Sequence, residues 1–561
     1  MATTLSSGAP TPGLLSRERI IAKPGFNRWL VPPAALAIHL CIGMSYGLSV
    51  FWLPLAQAIG ISKPVTCPEM TMLGALFTTT CDWRVTDLLV TFTLGIVFLG
   101  LSAAVFGGWL ERAGPRKAGV AAALCWGGGF VIAGIAVLVH QLWLLWLGLG
   151  VIGGIGLGLG YISPVSTLIK WFPDRRGMAT GMAIMGFGGG AMIGSPLAVI
   201  LMNGGDLINV HLPSIGDWKI HLDGFRTATS VGVWQTFVVI GAIYIVFMLA
   251  GAFSYRVPPE GWAPDGWTPK TSTNTMITSG NVDLADAHKT PQFWLIWAVL
   301  CLNVSAGIGV LAMASPMLQE IFAGSLIGQP QIPFGALSEA QKIAIAAIAG
   351  GFVSLLSLFN SGGRFAWASL SDHIGRKQTY FIFFALGMVL YGLAPTFAHM
   401  GSRALFVAAF CVILSMYGGG FATVPAYLAD IFGTKYVGAI HGRLLTAWST
   451  AGVVGPMVIG YIRDVQIAAG IPRALVYDRT MYILVGFLLL GLICNALIRP
   501  VNPKWLMAEG TSGPELKAST GSHGIGFGGL SFAALLAWLA VGIPFAWGVW
   551  NTLVKAVALF S

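Results

Sequence analysis

Thirteen runs of about 20 apolar residues, separated by short polar segments, dominate this 561-residue chain. A hydrocarbon core about 30 Å thick is crossed by roughly 20 apolar residues in a helix. Away from water only a helix or a closed barrel satisfies its own backbone hydrogen bonds, so the pattern predicts a bundle of membrane-spanning helices. The runs fall near 30–58, 87–110, 118–139, 143–169, 178–202, 233–254 and 292–321, then near 343–370, 378–398, 404–429, 439–462, 480–498 and 529–554. Charged residues make up 9% of the chain and hydrophobic ones 56%, with mean hydropathy +0.78. A soluble domain carries about 25% charged residues, so no water-facing shell can be built from this sequence.

The net charge of +10 is spread over short loops, which argues against a nucleic-acid partner. Cys41, Cys125, Cys301, Cys411 and Cys494 lie in apolar runs and read as small hydrophobes. Cys67 and Cys81 share one loop, where a disulfide is compatible with an external location. The first apolar run begins near Arg28 and is too long for the core of a secretory signal. No P-loop, metal cluster or catalytic triad stands out, so neither an enzyme nor a cofactor is expected. Glycine runs such as 153–160 and 186–190 read as seams for close helix packing.

Orientation follows from Lys and Arg in the flanks. With the N-terminus in the cytoplasm, the inner segments hold 20 basic residues and the outer ones 10, which together with Arg364 account for the 31 in the chain.

The chain also repeats itself. Glu111-Arg-Ala-Gly114-Pro-Arg116-Lys117 follows the second run, and Asp372-His-Ile-Gly375-Arg376-Lys377 follows the eighth. At a similar offset, Phe172-Pro-Asp-Arg-Arg-Gly-Met-Ala-Thr-Gly181 matches Phe432-Gly-Thr-Lys-Tyr-Val-Gly-Ala-Ile-His-Gly442. Two matches at one offset predict a duplicated six-helix unit. The expected organisation is a tail at 1–27, a bundle at 28–254, a central loop at 255–290, a second bundle at 291–500, a polar linker at 501–528 and an added span at 529–555.

A parallel duplication of six helices resembles the major facilitator architecture. This implies an all-α membrane protein with 6+6 spans plus one. In that superfamily an acid, a Gly and a basic pair recur after helices two and eight, which casts Glu111, Gly114, Arg116 and Lys117 with Asp372, Gly375, Arg376 and Lys377 as gating loops. Finer motifs are Thr290-Pro-Gln-Phe-Trp-Leu-Ile-Trp297, Asn303-Val-Ser-Ala-Gly-Ile-Gly309, Pro258-Pro-Glu-Gly-Trp262 and Lys170-Trp-Phe-Pro-Asp-Arg-Arg-Gly177. Together they resemble the oxalate/formate antiporter family across roughly 28–505. The thirteenth run resembles the single-span small subunit that accompanies some of its members.

Arg364 is the informative residue. It lies eight positions before Asp372 at a helix end, hence about 12 Å into the membrane. A cation at that depth is costly and marks function. Asp87, Glu320 and Asp430 all fall near helix ends, so a substrate anion is the expected partner. Asn360, one turn away, reads as a neutral donor beside the guanidinium. The resemblance implies that Arg364, in Asn360-Ser-Gly-Gly-Arg364, binds substrate carboxylate, and that Tyr46, Tyr161, Tyr417, Phe421 and Trp448 form an aromatic cage. Trp448 stands where the family's oxalate exchanger has a second cation, a lysine, which weakens the case for oxalate itself. Arg443 is too near the helix end to replace it, and His39 is a candidate second cation. The expected function is alternating-access exchange of small organic carboxylates in a bacterial inner membrane. Proton-coupled uptake of a monocarboxylate such as formate, lactate or pyruvate is the alternative. The expected partners are a small organic anion, protons in the alternative case and the lipid bilayer, with a monomeric transport unit.

Overall fold

The structure, a computed structural model, describes residues 13–61, 65–67, 70–212, 216–264, 276–278, 280–507 and 532–556. The first half holds α1 (Val31–Ile42, extended as a 3-10 helix over Gly43–Phe51), α2 (Val85–Ala113), α3 (Pro115–Leu138), α4 (Leu142–Trp171), α5 (Arg176–Asn203) and α6 (Val233–Ser254). The second holds α7 (Pro291–Phe322), α8 (Glu339–Ile374), α9 (Arg376–His399), α10 (Arg403–Phe432), α11 (Val437–Ala468) and α12 (Asp478–Leu497), followed by α13 (Phe532–Ala556). Twelve helices among the described residues are long and apolar enough to cross a membrane. α8, at 36 residues, is also long enough to cross, and it carries Asn360, Arg364 and Asp372. It is sandwiched between α5 and α10, which cover its polar face.

Local chemistry sets the helix ends. Thr290 caps α7 by accepting from Phe293 N, with Pro291 at the first helical position. Ser338 and Gln341 form a reciprocal capping box at the start of α8. Gly114 alone links α2 to α3, and Gly375 alone links α8 to α9. Their φ angles of 86° and 91° belong to a region that side chains disfavour, which explains why Gly recurs in both copies of the loop.

Three expected spans are not continuous α-helices. α1 tightens at Gly43, α4 contains a π-helical stretch over Trp146–Ile152, and α11 breaks at Leu445. The first and third breaks sit beside Tyr46 and Trp448. The halves meet through α5 against α8 and α2 against α11.

Between α5 and α6 lies an element for which no strand was expected. Strands β1 (Gly205–Leu212) and β2 (Gly216–Leu222) pair antiparallel, with Asp206 opposite His221. Asp206 accepts from His221 Nδ1 at 2.7 Å and pairs with Lys219 at 3.1 Å, and these two donors hold its carboxyl below the usual range. Cys67 and Cys81 are joined as a disulfide in the loop after α1.

At the opposite, basic end the central segment threads under both halves. Val257 pairs with Ile21, Thr278 N donates to Asp430 O, and Val282 N to Phe432 O. The expected linker starts later than 501, because Leu506 bridges to Val282 and Met507 N donates to Asn281 O. Its remainder, 508–528, lies outside the described residues, as do 1–12 of the expected tail. α13 packs against α1, α5 and α8, so it touches both halves along one side. Trp538 Nε1 donates to Trp29 O near the basic end and Trp547 Nε1 to Leu207 O at the hairpin end.

Candidate functional site

The centre of the molecule is organised around Arg364 on α8, which is fully buried. Its Nε donates to Asn360 Oδ1 at 3.3 Å and its Nη1 to Ile184 O on α5 at 3.3 Å. Asn360 is therefore an acceptor for the guanidinium, not the donor expected beside it, because its amide oxygen faces the positive charge. Nη2 makes no hydrogen bond. The rings of Phe187 and Phe421 flank the guanidinium, each with its centroid 5.4 Å from Cζ. Cation–π contacts of this kind contribute about 0.5–2 kcal/mol, well below the several kcal/mol that burying a charge costs.

No carboxylate supplies the difference. Asp87 is taken by Arg84 at 2.8 Å, Glu320 by Arg463, Arg473 and Tyr477, and Asp430 by Arg176 and Arg376. Among the described residues no carboxylate pairs with Arg364.

The five expected aromatics gather in one network. The Tyr46 and Tyr417 hydroxyls lie 3.2 Å apart, joining α1 to α10 across the two halves. Tyr161 packs against Trp448 at 5.4 Å, and Trp448 against Phe421 at 4.5 Å. Phe187 sits at the hub, with its centroid 5.0 Å from Tyr46, 5.7 Å from Tyr161 and 5.4 Å from Trp448. Tyr161 Oη and Trp448 Nε1 are buried without a hydrogen-bond partner. With Arg364 Nη2, three orphaned groups able to donate belong to one ring-to-ring cluster. Such an arrangement suits a ligand rich in acceptors and negative charge.

His39 is buried beside Tyr161, but both ring nitrogens face backbone carbonyls, those of Ala183 and Tyr161. Two residues escaped sequence analysis. Phe187 was read only as part of a glycine seam, although it is the one large side chain among Gly186, Gly188, Gly189 and Gly190. His441 on α11 lies 5.8 Å from Tyr161 with neither nitrogen bonded, and only its place in a matched repeat drew notice to that stretch.

The repeated loops lie at the basic end. Glu111 accepts from Lys170 at 2.6 Å and Ser166 at 3.1 Å. Arg116 donates to the carbonyls of Leu14 and Phe253, and Lys377 to those of Ala496 and Ile498. Asp372 accepts from Arg376 at 2.6 Å and from the backbone N–H groups of Gly177 and Met178 at 2.8 and 2.9 Å. Hydrogen bonds between halves run from here to mid-depth, through Arg176 to Asp430, Thr180 to Ala422 O and Ser361 to Met185 O.

Comparison with known proteins agrees with this architecture. The profile of the Major Facilitator Superfamily matches residues 35–456. The oxalate:formate antiporter of Oxalobacter formigenes is 26% identical over 436 residues, covering 76% of this chain and 83% of that protein. Human monocarboxylate transporter 11 is 26% identical over 467 residues, 81% of each. Among solved structures, the transporter FucP in its outward conformation is 14% identical, with a TM-score of 0.52 over 83% of this chain and 99% of that one. At that identity the likeness bears on the fold alone. Two six-helix halves around a shared buried centre, matched over most of the chain, make this a multi-pass membrane transporter that belongs to the Major Facilitator Superfamily.

Proposed function

We propose that this protein exchanges small organic carboxylate anions across a bacterial inner membrane by alternating access, as a monomeric transport unit. Its N-terminus and basic end are cytoplasmic, in keeping with the excess of Lys and Arg there. The two six-helix units rock about Arg364, with 255–290 joining them and α13 bracing the seam between α5 and α8.

The observation that carries this reading is a fully buried guanidinium with a free Nη2 and no carboxylate partner. An empty site leaves that charge uncompensated while the halves reorient, which raises the barrier. A bound carboxylate removes the penalty, so loaded carriers cross faster than empty ones. This favours exchange over net uptake, and uptake by reconstituted protein that needs no anion on the far side overturns it. The similarity to an oxalate:formate antiporter points to the same chemistry. One guanidinium neutralises one carboxylate, and with Trp448 as an uncharged ring a monocarboxylate such as formate is favoured over oxalate.

Arg364→Ala tests the site. The variant should insert and purify normally, yet show no thermal shift with formate or oxalate and no transport. Retained transport sinks the assignment. Arg364→Lys should lose most of the activity, because a point charge does not reproduce the forked donor geometry. Proton-coupled uptake of a monocarboxylate is the second reading, favoured by two buried histidines near the cage. Collapse of the pH gradient separates the two, abolishing symport and sparing exchange.

A further inference from the structure

The group that the proposed cycle leaves unused is His441. It is buried to 1% exposure, and both ring nitrogens lack a partner. A neutral imidazole offers one donor and one acceptor, and burying both unpaired is unfavourable. Its position gives that cost a purpose. His441 belongs to the second half, yet much of the surface around it belongs to the first. Its ring leans on Tyr161 of α4, the neighbouring Gly442 packs on the backbone of Ala103 of α2, and Gly438, one turn before it, packs on Glu111 and Ser166. His441 therefore lies on the seam between halves, between the basic-end gate and the aromatic cage. In the proposed cycle these are the surfaces that part when the basic end opens.

We infer that His441 is a second anion-binding group on the path from the basic end to Arg364, charged only while that end is open. Closed, the ring is dry. Open, it is wet, and as imidazolium it donates to a carboxylate on its way to the guanidinium. A proton taken from the basic side thereby raises affinity for anions offered on that side only.

The surrounding charges leave this role to His441. On α2, Glu111 is engaged by Lys170 of α4 and by Ser166. On α10, Asp430 is engaged by Arg176 and Arg376, and Tyr427 packs on Tyr380. On the short helix Leu284–Ala287, Asp286 pairs with Lys289, and Arg443 reaches Leu284 O and His288. Arg112 ends α2, and Arg463 on the second part of α11 pairs with Glu320 of α7 near the far end. His39, beyond Tyr161, has its nitrogens committed to carbonyls.

The inference rests on anion transport through Arg364, and the test keeps the two apart. Formate transport is measured in right-side-out and inverted vesicles while pH is varied on one side between about 5.5 and 7.5, where an imidazole titrates and formate stays ionised. For the unmodified protein, KM for formate offered at the basic end should fall about tenfold at the acid limit, as one added charge near the path predicts. KM at the other end should not respond. His441→Gln and His441→Asn should transport formate with a flat profile at both ends, whereas Arg364→Ala transports none. A pH-independent KM in the unmodified protein overturns the inference whatever the variants do. So does a pH dependence that survives in His441→Gln, or one that disappears only in His39→Gln. Transport retained in Arg364→Ala fails the anion-site reading instead.

Discussion

The two copies of the repeated loop began from one sequence and do different jobs. In the first half, Glu111 turns to Lys170 and Ser166 of its own half, so the loop braces a single bundle. In the second, Asp372 reaches across the seam to the backbone N–H groups that open α5, while Arg376 holds Asp430, which in turn holds Arg176 of the first half. One copy is a brace and the other a latch. The shorter carboxylate sits where helix α5 begins, satisfying its orphaned donors and meeting its positive end. Close approach is possible because Gly177 has no side chain there, and a Cβ would collide with Ala368 O and Arg376. Motif identity thus fixes the local turn, and the neighbouring helix decides whether it reaches the other half.

The largest break in this comparison is expected from Asp372→Asn against Glu111→Gln. Hydrogen bonds to a charged group are worth about 1.5–3 kcal/mol each, so losing the charge should shift the closed-to-open ratio at the basic end by roughly ten- to a hundredfold. Cysteine accessibility at the basic end should rise and exchange should slow. Glu111→Gln removes a part-exposed pair worth about 0–1 kcal/mol, and accessibility should change by less than about fivefold. Equal effects would abolish the distinction between brace and latch.

Next come Gly375→Ala and Gly114→Ala. Both glycines combine a positive φ with an extended ψ, a region that costs an L-residue about 1–3 kcal/mol, so each variant should lower Tm in detergent by a few degrees and by similar amounts. A harmless Gly114→Ala would show that the first copy does not need its tight turn.

The smallest effects, about 0.3–1 kcal/mol, are expected from the basic residues that meet helix C-termini. Here the order reverses. Arg116 is buried and reaches the end of α6, whereas Lys377 is more exposed at the end of α12, so Arg116→Ala should lower Tm more than Lys377→Ala.

Much of this was legible in sequence. Apolar runs near 20 residues reveal spans because bilayer thickness sets helix length. The duplicated loops revealed the 6+6 plan, and Arg364 stood out because a cation at mid-depth is costly. The strand pair Gly205–Leu212 and Gly216–Leu222 was missed because strands this short carry little pattern beside twenty-residue apolar runs. The breaks at Gly43 and Leu445 were missed because hydropathy does not distinguish a 3-10 turn from an α-helix.

By itself the sequence determined which segments enter the membrane, the internal repeat and the cation that falls inside a span, since each depends on composition along the chain. Tertiary structure alone decided the rest. It turned Asn360 into an acceptor, placed Phe187 at the hub, left His441 unpartnered on the seam and made one loop a latch. These outcomes depend on which groups from distant helices come within hydrogen-bonding reach, and spacing along one helix does not encode that.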